Sequence, residues 1–134
     1  MVGLLLHYTW YSRSSFIPIP INSNTRFWIL SVHIMSLSLY EASQEGNVEA
    51  VQLLLAKDGV EVNQAATYGV TPLYNASKNG HTKVVELLLA HDGVEVNQAT
   101  NDGETPLYIA SQNGHTKVVE LLLAHDGVEV NQAT

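Results

Sequence analysis

The sequence predicts an all-α repeat solenoid, in which stacked helix–turn–helix units carry extended, β-hairpin-like fingers. Three observations carry that prediction. Residues 67–100 and 101–134 agree at 29 of 34 positions, and residues 33–66 follow the same offset more loosely; a fixed period of this size marks a stacked-repeat architecture. Each copy is punctuated in the same places by residues that start and stop helices. The helices so marked do not exceed about ten residues, too short to persist alone in water given the cost of nucleation.

The second copy serves as the template. Thr71 is an N-cap and Pro72 occupies the first helical position, where its missing N–H costs nothing. Gly80 suits the left-handed residue after a helix, so a first helix runs from Pro72 to Asn79. Thr82 to Ala90 follows at once as a second, antiparallel helix. There only Lys83 and Glu86 are strongly polar, three apart on one face, while Val84, Val85, Leu87, Leu88 and Leu89 cover most of the circumference. Such a helix needs apolar neighbours on several sides: Leu73 and Ala76 of its own unit, and the units before and after. Burial stabilises by about 2 kcal/mol per Leu or Val, so the copies form one solenoid. Asp92-Gly93 then turns the chain, Val94 to Asn97 alternates as an extended segment, and Asn101-Asp102-Gly103 reads as a hairpin turn.

Residues 1–34 are a different kind of sequence. They hold Arg13 and Arg26 with no acid, both Trp and both Phe, whereas residues 35–134 carry 4 lysines against 13 acids. The start lacks the basic region and cleavage pattern of a secretion signal, and the uncharged stretch 27–40 has 14 residues, too few to span a bilayer. With the proline-broken Phe16 to Ile21 stretch, this segment reads as disordered or as lying upstream of a natural start at Met35-Ser36. An interfacial anchor through Trp10, Phe27 and Trp28 is the alternative. A cytoplasmic location is expected, and nothing excludes the nucleus.

Thr71-Pro-Leu-Tyr-Asn-Ala76 and Thr105-Pro-Leu-Tyr-Ile-Ala110, Gly80-His81 and Gly114-His115, the triple leucines and Val96-Asn97 together resemble the ankyrin repeat over residues 37–134. Two departures stand out. Each copy has one residue more than the family's usual period, in the turn around Asp58-Gly59, Asp92-Gly93 and Asp126-Gly127. The family's usual His after Thr-Pro-Leu is Tyr74 or Tyr108, which leaves open what replaces its hydrogen bond. The first copy, with Leu37-Ser38, Asn47 and Glu49 in place of Thr-Pro, His and Lys, looks like the polar opening unit of such arrays.

The resemblance implies a non-catalytic module that binds a partner protein on the concave surface lined by fingers and first helices. The five differences between the second and third copies, Thr67/Asn101, Tyr68/Asp102, Val70/Glu104, Asn75/Ile109 and Lys78/Gln112, all fall in the finger tip or first helix. None falls in the identical 22-residue run 79–100 and 113–134. Partner contacts are therefore expected at Gln44, Glu45, Tyr68, Val70, Lys78, Asn79, Asn101, Asp102, Glu104, Gln112 and Asn113. Neutral drift at exposed sites explains the same pattern. A net charge of −7 excludes a basic footprint for nucleic acid and favours a basic partner segment.

An enzyme built on Ser77, His81 and Asp92 is the rival, as is a metal site among His81, His91, His115 and His125. Both are set aside, with no cofactor and no metal expected. The candidate residues recur because the whole unit is duplicated, and equivalent positions of stacked helices lie roughly 8–10 Å apart, too far to share one zinc. Asn75-Ala76-Ser77 fits the glycosylation pattern, but within a packed helix. The third copy repeats the apolar face that the second buries, so the array is expected to continue beyond Thr134 or to pair through that end with another chain. The alternative function follows: a fragment of a longer protein whose repeats target or regulate an attached catalytic or membrane domain.

Overall fold

The computed structural model describes Val32 and residues 36–131. The chain separates into Met1–His33 and Ile34–Thr134, and every element named below lies in the second. Trp10, Phe27, Trp28 and the Phe16 to Ile21 stretch, on which the readings of residues 1–34 rest, lie outside the described residues. Six α-helices form three helix–turn–helix units: α1 (Leu39–Glu45) with α2 (Val48–Leu55), α3 (Pro72–Asn79) with α4 (Thr82–Leu89), and α5 (Pro106–Gln112) with α6 (Thr116–Leu123). One 3-10 turn, Thr67–Gly69, lies between the first two units, and no strand forms among the described residues.

Local chemistry sets the helix ends. Thr71 is extended (φ −86°, ψ 162°), its hydroxyl accepts the Tyr74 N–H, and Pro72 opens α3. Thr105 does the same for α5 through the Tyr108 N–H at 3.1 Å. The opening copy lacks Thr-Pro and moves the cap on by one residue. Ser38 Oγ accepts the Glu41 N–H at 3.1 Å, and the Glu41 carboxylate accepts the Ser38 N–H at 2.9 Å. This reciprocal capping box replaces the proline start. The Ser38 backbone N–H, helped by its hydroxyl, holds the Glu41 carboxyl below the usual carboxylate range.

The first helices α1, α3 and α5 stack in one row, the second helices α2, α4 and α6 in another, and each first helix packs on the second helix of its own unit. Exposure along the leucine triplets shows how the rows face. The middle leucines, Leu54, Leu88 and Leu122, are buried in every unit. The first of each triplet is exposed only in the opening unit (Leu53), and the last only in the third unit (Leu123). The first leucine therefore meets the unit before and the third meets the unit after. The apolar helix circumference read from the sequence is consumed by stacking, as a solenoid requires.

The finger corrects one expectation. Val94 is half-buried and Val96 buried on either side of exposed Glu95, so the alternation is real. The backbone nevertheless turns at Val96-Asn97, closed by the Gln98 N–H to the Glu95 carbonyl. Asn97 explains the turn, because its side-chain amide donates to the Gly127 carbonyl at 2.7 Å and its oxygen accepts the Glu129 N–H at 2.8 Å. Asn63 makes the same pair of bonds to Gly93 and Glu95, at 2.7 and 2.8 Å. An asparagine bridging two backbone groups of the next unit takes the place of a strand ladder.

Candidate partner-binding surface

The eleven sequence-predicted residues fall into two rows. Gln44, Glu45, Lys78, Asn79, Gln112 and Asn113 stand exposed at the C-terminal ends of α1, α3 and α5. Because those helices stack, each unit adds one pair to a continuous row. Two members also hold the stack together. The Asn79 amide donates to the Gln44 carbonyl at 3.4 Å and the Asn113 amide to the Lys78 carbonyl at 2.9 Å. His81 and His115 reinforce those contacts, with Nε2 lying 3.0 Å from the Gln44 carbonyl and 2.9 Å from the Lys78 carbonyl. A carbonyl only accepts, so Nε2 carries the proton in both rings.

The second row is the finger tips. Tyr68 is 73% exposed; Asn101 and Asp102 are exposed, and Val70 and Glu104 half-buried. The Asn101 N–H donates to the Tyr68 carbonyl at 2.9 Å, which binds the two tips side by side. Tyr68 sits at φ 64°, the one non-glycine residue in the left-handed region among those described. Gly69 follows at φ 76°, and a Cβ there would come within 2.7 Å of the Asn101 side chain. Close approach of the tips thus requires glycine at 69.

Glu104 has a structural partner that the sequence did not show. Tyr74, buried at 5% exposure, donates its hydroxyl to the Glu104 carboxylate at 2.5 Å across the second and third units. Tyr74 makes this bond from the position after Thr-Pro-Leu. Burial, together with the Glu104 acceptor and the negative charge of Asp102, pushes the Tyr74 hydroxyl well above the usual tyrosine range. Tyr108 occupies the equivalent place in the third unit and is 43% exposed. Tyr74 and Tyr108 are thus part of this region without having been chosen from sequence. Their signal was the His-to-Tyr departure taken together with the Val70/Glu104 difference.

The rival sets are not assembled. Ser77 is fully buried and its Oγ has no hydrogen-bond partner among the described residues. His81 is engaged with Gln44, and Asp92 is exposed beyond the end of α4. Of the other imidazoles, His91 is half-buried with an unpartnered Nδ1, and His125 Nδ1 accepts the Gly127 N–H at 3.2 Å. Asn75, the glycosylation candidate, is buried in the middle of α3.

Stacked helix–turn–helix units joined by asparagine bridges and glycine–histidine contacts define a helical repeat protein. The family model for ankyrin repeats, in three copies, matches residues 39–134, and the chain belongs to the ankyrin repeat family. Repeats of this family are in general protein–protein interaction modules without catalysis. No individual curated protein matches the chain. No helix among the described residues is long and apolar enough to cross a membrane.

Proposed function

We propose that the array is a non-catalytic binding module that holds a partner protein on its concave face, across the finger tips and the ends of the first helices. One observation carries this reading. The side chains that differ between two otherwise near-identical units include Tyr68, Lys78, Asp102 and Gln112, all exposed on those two rows. The letter-for-letter identical segment builds the second helix and the bridges. Packing fixes the identical segment; of the differing positions Asn75 and Ile109 are buried and Glu104 is bonded to Tyr74, and the four exposed ones are left to serve recognition, where a few anchors carry most of the energy. The test replaces Tyr68 and Asp102 together by alanine and measures affinity for a purified partner. Loss of about 100-fold is expected if both are anchors, with the second-helix pair Lys83→Ala and Lys117→Ala as the control that leaves affinity unchanged. Unchanged affinity in the first variant rules the concave face out.

Leu123 and Val130 are exposed on the third unit, Val130 at 65% where its counterpart Val96 is 5%, and they offer apolar area for contact with a protein surface. Lengthening the array by one more copy of residues 101–134 should raise the melting temperature by several degrees; an unchanged value would mean that covering this side adds nothing.

A further inference from the structure

We infer that the paired finger tips of the second and third units receive a cationic side chain, so that the bound partner is an extended, arginine- or lysine-bearing segment. This rests on the concave-face reading above and specifies its ligand. Tyr68 presents the most exposed aromatic ring among the described residues, on a backbone fixed by the Asn101 N–H and by the close approach of Gly69. Asp102, one residue beyond that hydrogen bond, places an exposed carboxylate on the adjoining tip. Glu104 adds a second carboxylate, of which one oxygen is occupied by Tyr74, and Tyr108 a second exposed ring.

Among the described residues no ion pair joins Asp102 or Glu104 to a base, and Lys78, exposed at the end of α3, is the one lysine on the same two rows. The sequence holds no lysine or arginine from Asp58 to Ser77 or from Val84 to Thr116. Lys83 and Lys117 are paired with Glu86 and Glu120 at 2.9 and 3.1 Å on the second helices. Both carboxylates act on the Tyr74 hydroxyl in the same direction, with no opposing cation. An aromatic face beside an uncompensated carboxylate attracts a guanidinium or ammonium through its quadrupole and its charge together. The same field repels an acidic or phosphorylated segment, and a neutral apolar segment would leave the Asp102 carboxylate and the second Glu104 oxygen desolvated. Guanidinium, planar and weakly hydrated, suits the site better than ammonium.

The experiment uses the full chain and a dye-labelled twelve-residue peptide with four arginines separated by serines. The comparison peptide has citrulline, the neutral isostere, at the same places. Fluorescence anisotropy is expected to show the citrulline peptide at least about tenfold weaker. Tyr68→Asn, which tolerates the left-handed backbone, and Asp102→Asn should each weaken the arginine peptide by about tenfold. The double variant Asp58→Asn with Glu61→Gln, which removes two exposed charges from the first unit's loop, should change it by less than about twofold. If that control weakens binding as much as Asp102→Asn, the attraction is diffuse charge and the inference fails. It also fails if Tyr68→Asn binds like the parent. A random twelve-residue display library, selected on the chain, separates this failure from that of the broader reading. Non-basic binders that are lost with Lys78→Ala or Gln112→Ala would overturn the cationic ligand and keep the concave face. Binders indifferent to every substitution on both rows would overturn both.

Discussion

Tyr68 shows how one residue is spent on exposure at the expense of stability. A left-handed backbone costs a non-glycine residue about 1–2 kcal/mol, yet Tyr68 holds φ 64° with its ring in solvent. Tyr68→Gly is therefore expected to raise stability by about 1 kcal/mol in urea denaturation. A drop in stability would mean that the ring packs on its own tip. Tyr74 is the opposite case, a polar group held by burial. Its hydroxyl titrates above the ordinary value of 10.0 in the folded chain, for reasons of burial first and the Glu104 acceptor second. A raised pKa gives stability that is present below the unfolded value and lost as pH climbs past it. The urea midpoint should thus fall as pH rises above about 10. Tyr74→Phe should flatten that fall, and an equally steep fall in the variant would place the effect elsewhere.

Element ends depend on contacts between units as well as on local caps. Gly80 and Gly114 sit in the same Asn-Gly-His context with φ of 73° and 75°. A Cβ at Gly80 would come within 2.6 Å of the His115 ring, whereas at Gly114 it meets nothing within 4 Å. Both alanine variants carry the left-handed penalty of about 1 kcal/mol. Gly80→Ala must also displace the histidine and its bond to the Lys78 carbonyl, so its melting temperature should lie clearly below that of Gly114→Ala. Equal losses would show that the histidine contact adds nothing. At the start of α3, Thr71→Ala removes the acceptor for the Tyr74 N–H and is expected to cost about 1 kcal/mol.

On the scale of the whole molecule, stability is the sum of units and the interfaces between them. The identical runs 79–100 and 113–134 test this directly. Val96 is 5% exposed and Val130 65%, so Val96→Ser should cost about 2 kcal/mol and Val130→Ser less than about 0.5 kcal/mol. Denaturation midpoints of the two variants decide it. Similar losses would mean that Val130 is covered after all. Asn63 and Asn97 contribute to the same interfaces, each spanning a carbonyl and an N–H of the following unit. They join units whose apolar contacts alone would allow sliding, because two directed hydrogen bonds fix the register.

Period, helix starts and family can all be read from the letters. Caps such as Thr71, starts such as Pro72 and stops such as Gly80 act on neighbours a few residues away, and repetition is visible in the letters. The exposure of Tyr68, Lys78, Asp102 and Gln112 was legible from their differing between copies, whereas the burial of Asn75 and Ile109, which also differ, was not. Tertiary structure alone decided which identical letters share a fate. Val96 and Val130, or Tyr74 and Tyr108, match in sequence and part in exposure. It also showed that Glu104, Asn79 and Asn113 make hydrogen bonds between units, and that Asn97 turns a segment whose alternation reads as extended. The physical reason is common to all of these. Burial and directed bonding at each position are set by a unit one period away, and a single copy carries no record of what lies against it.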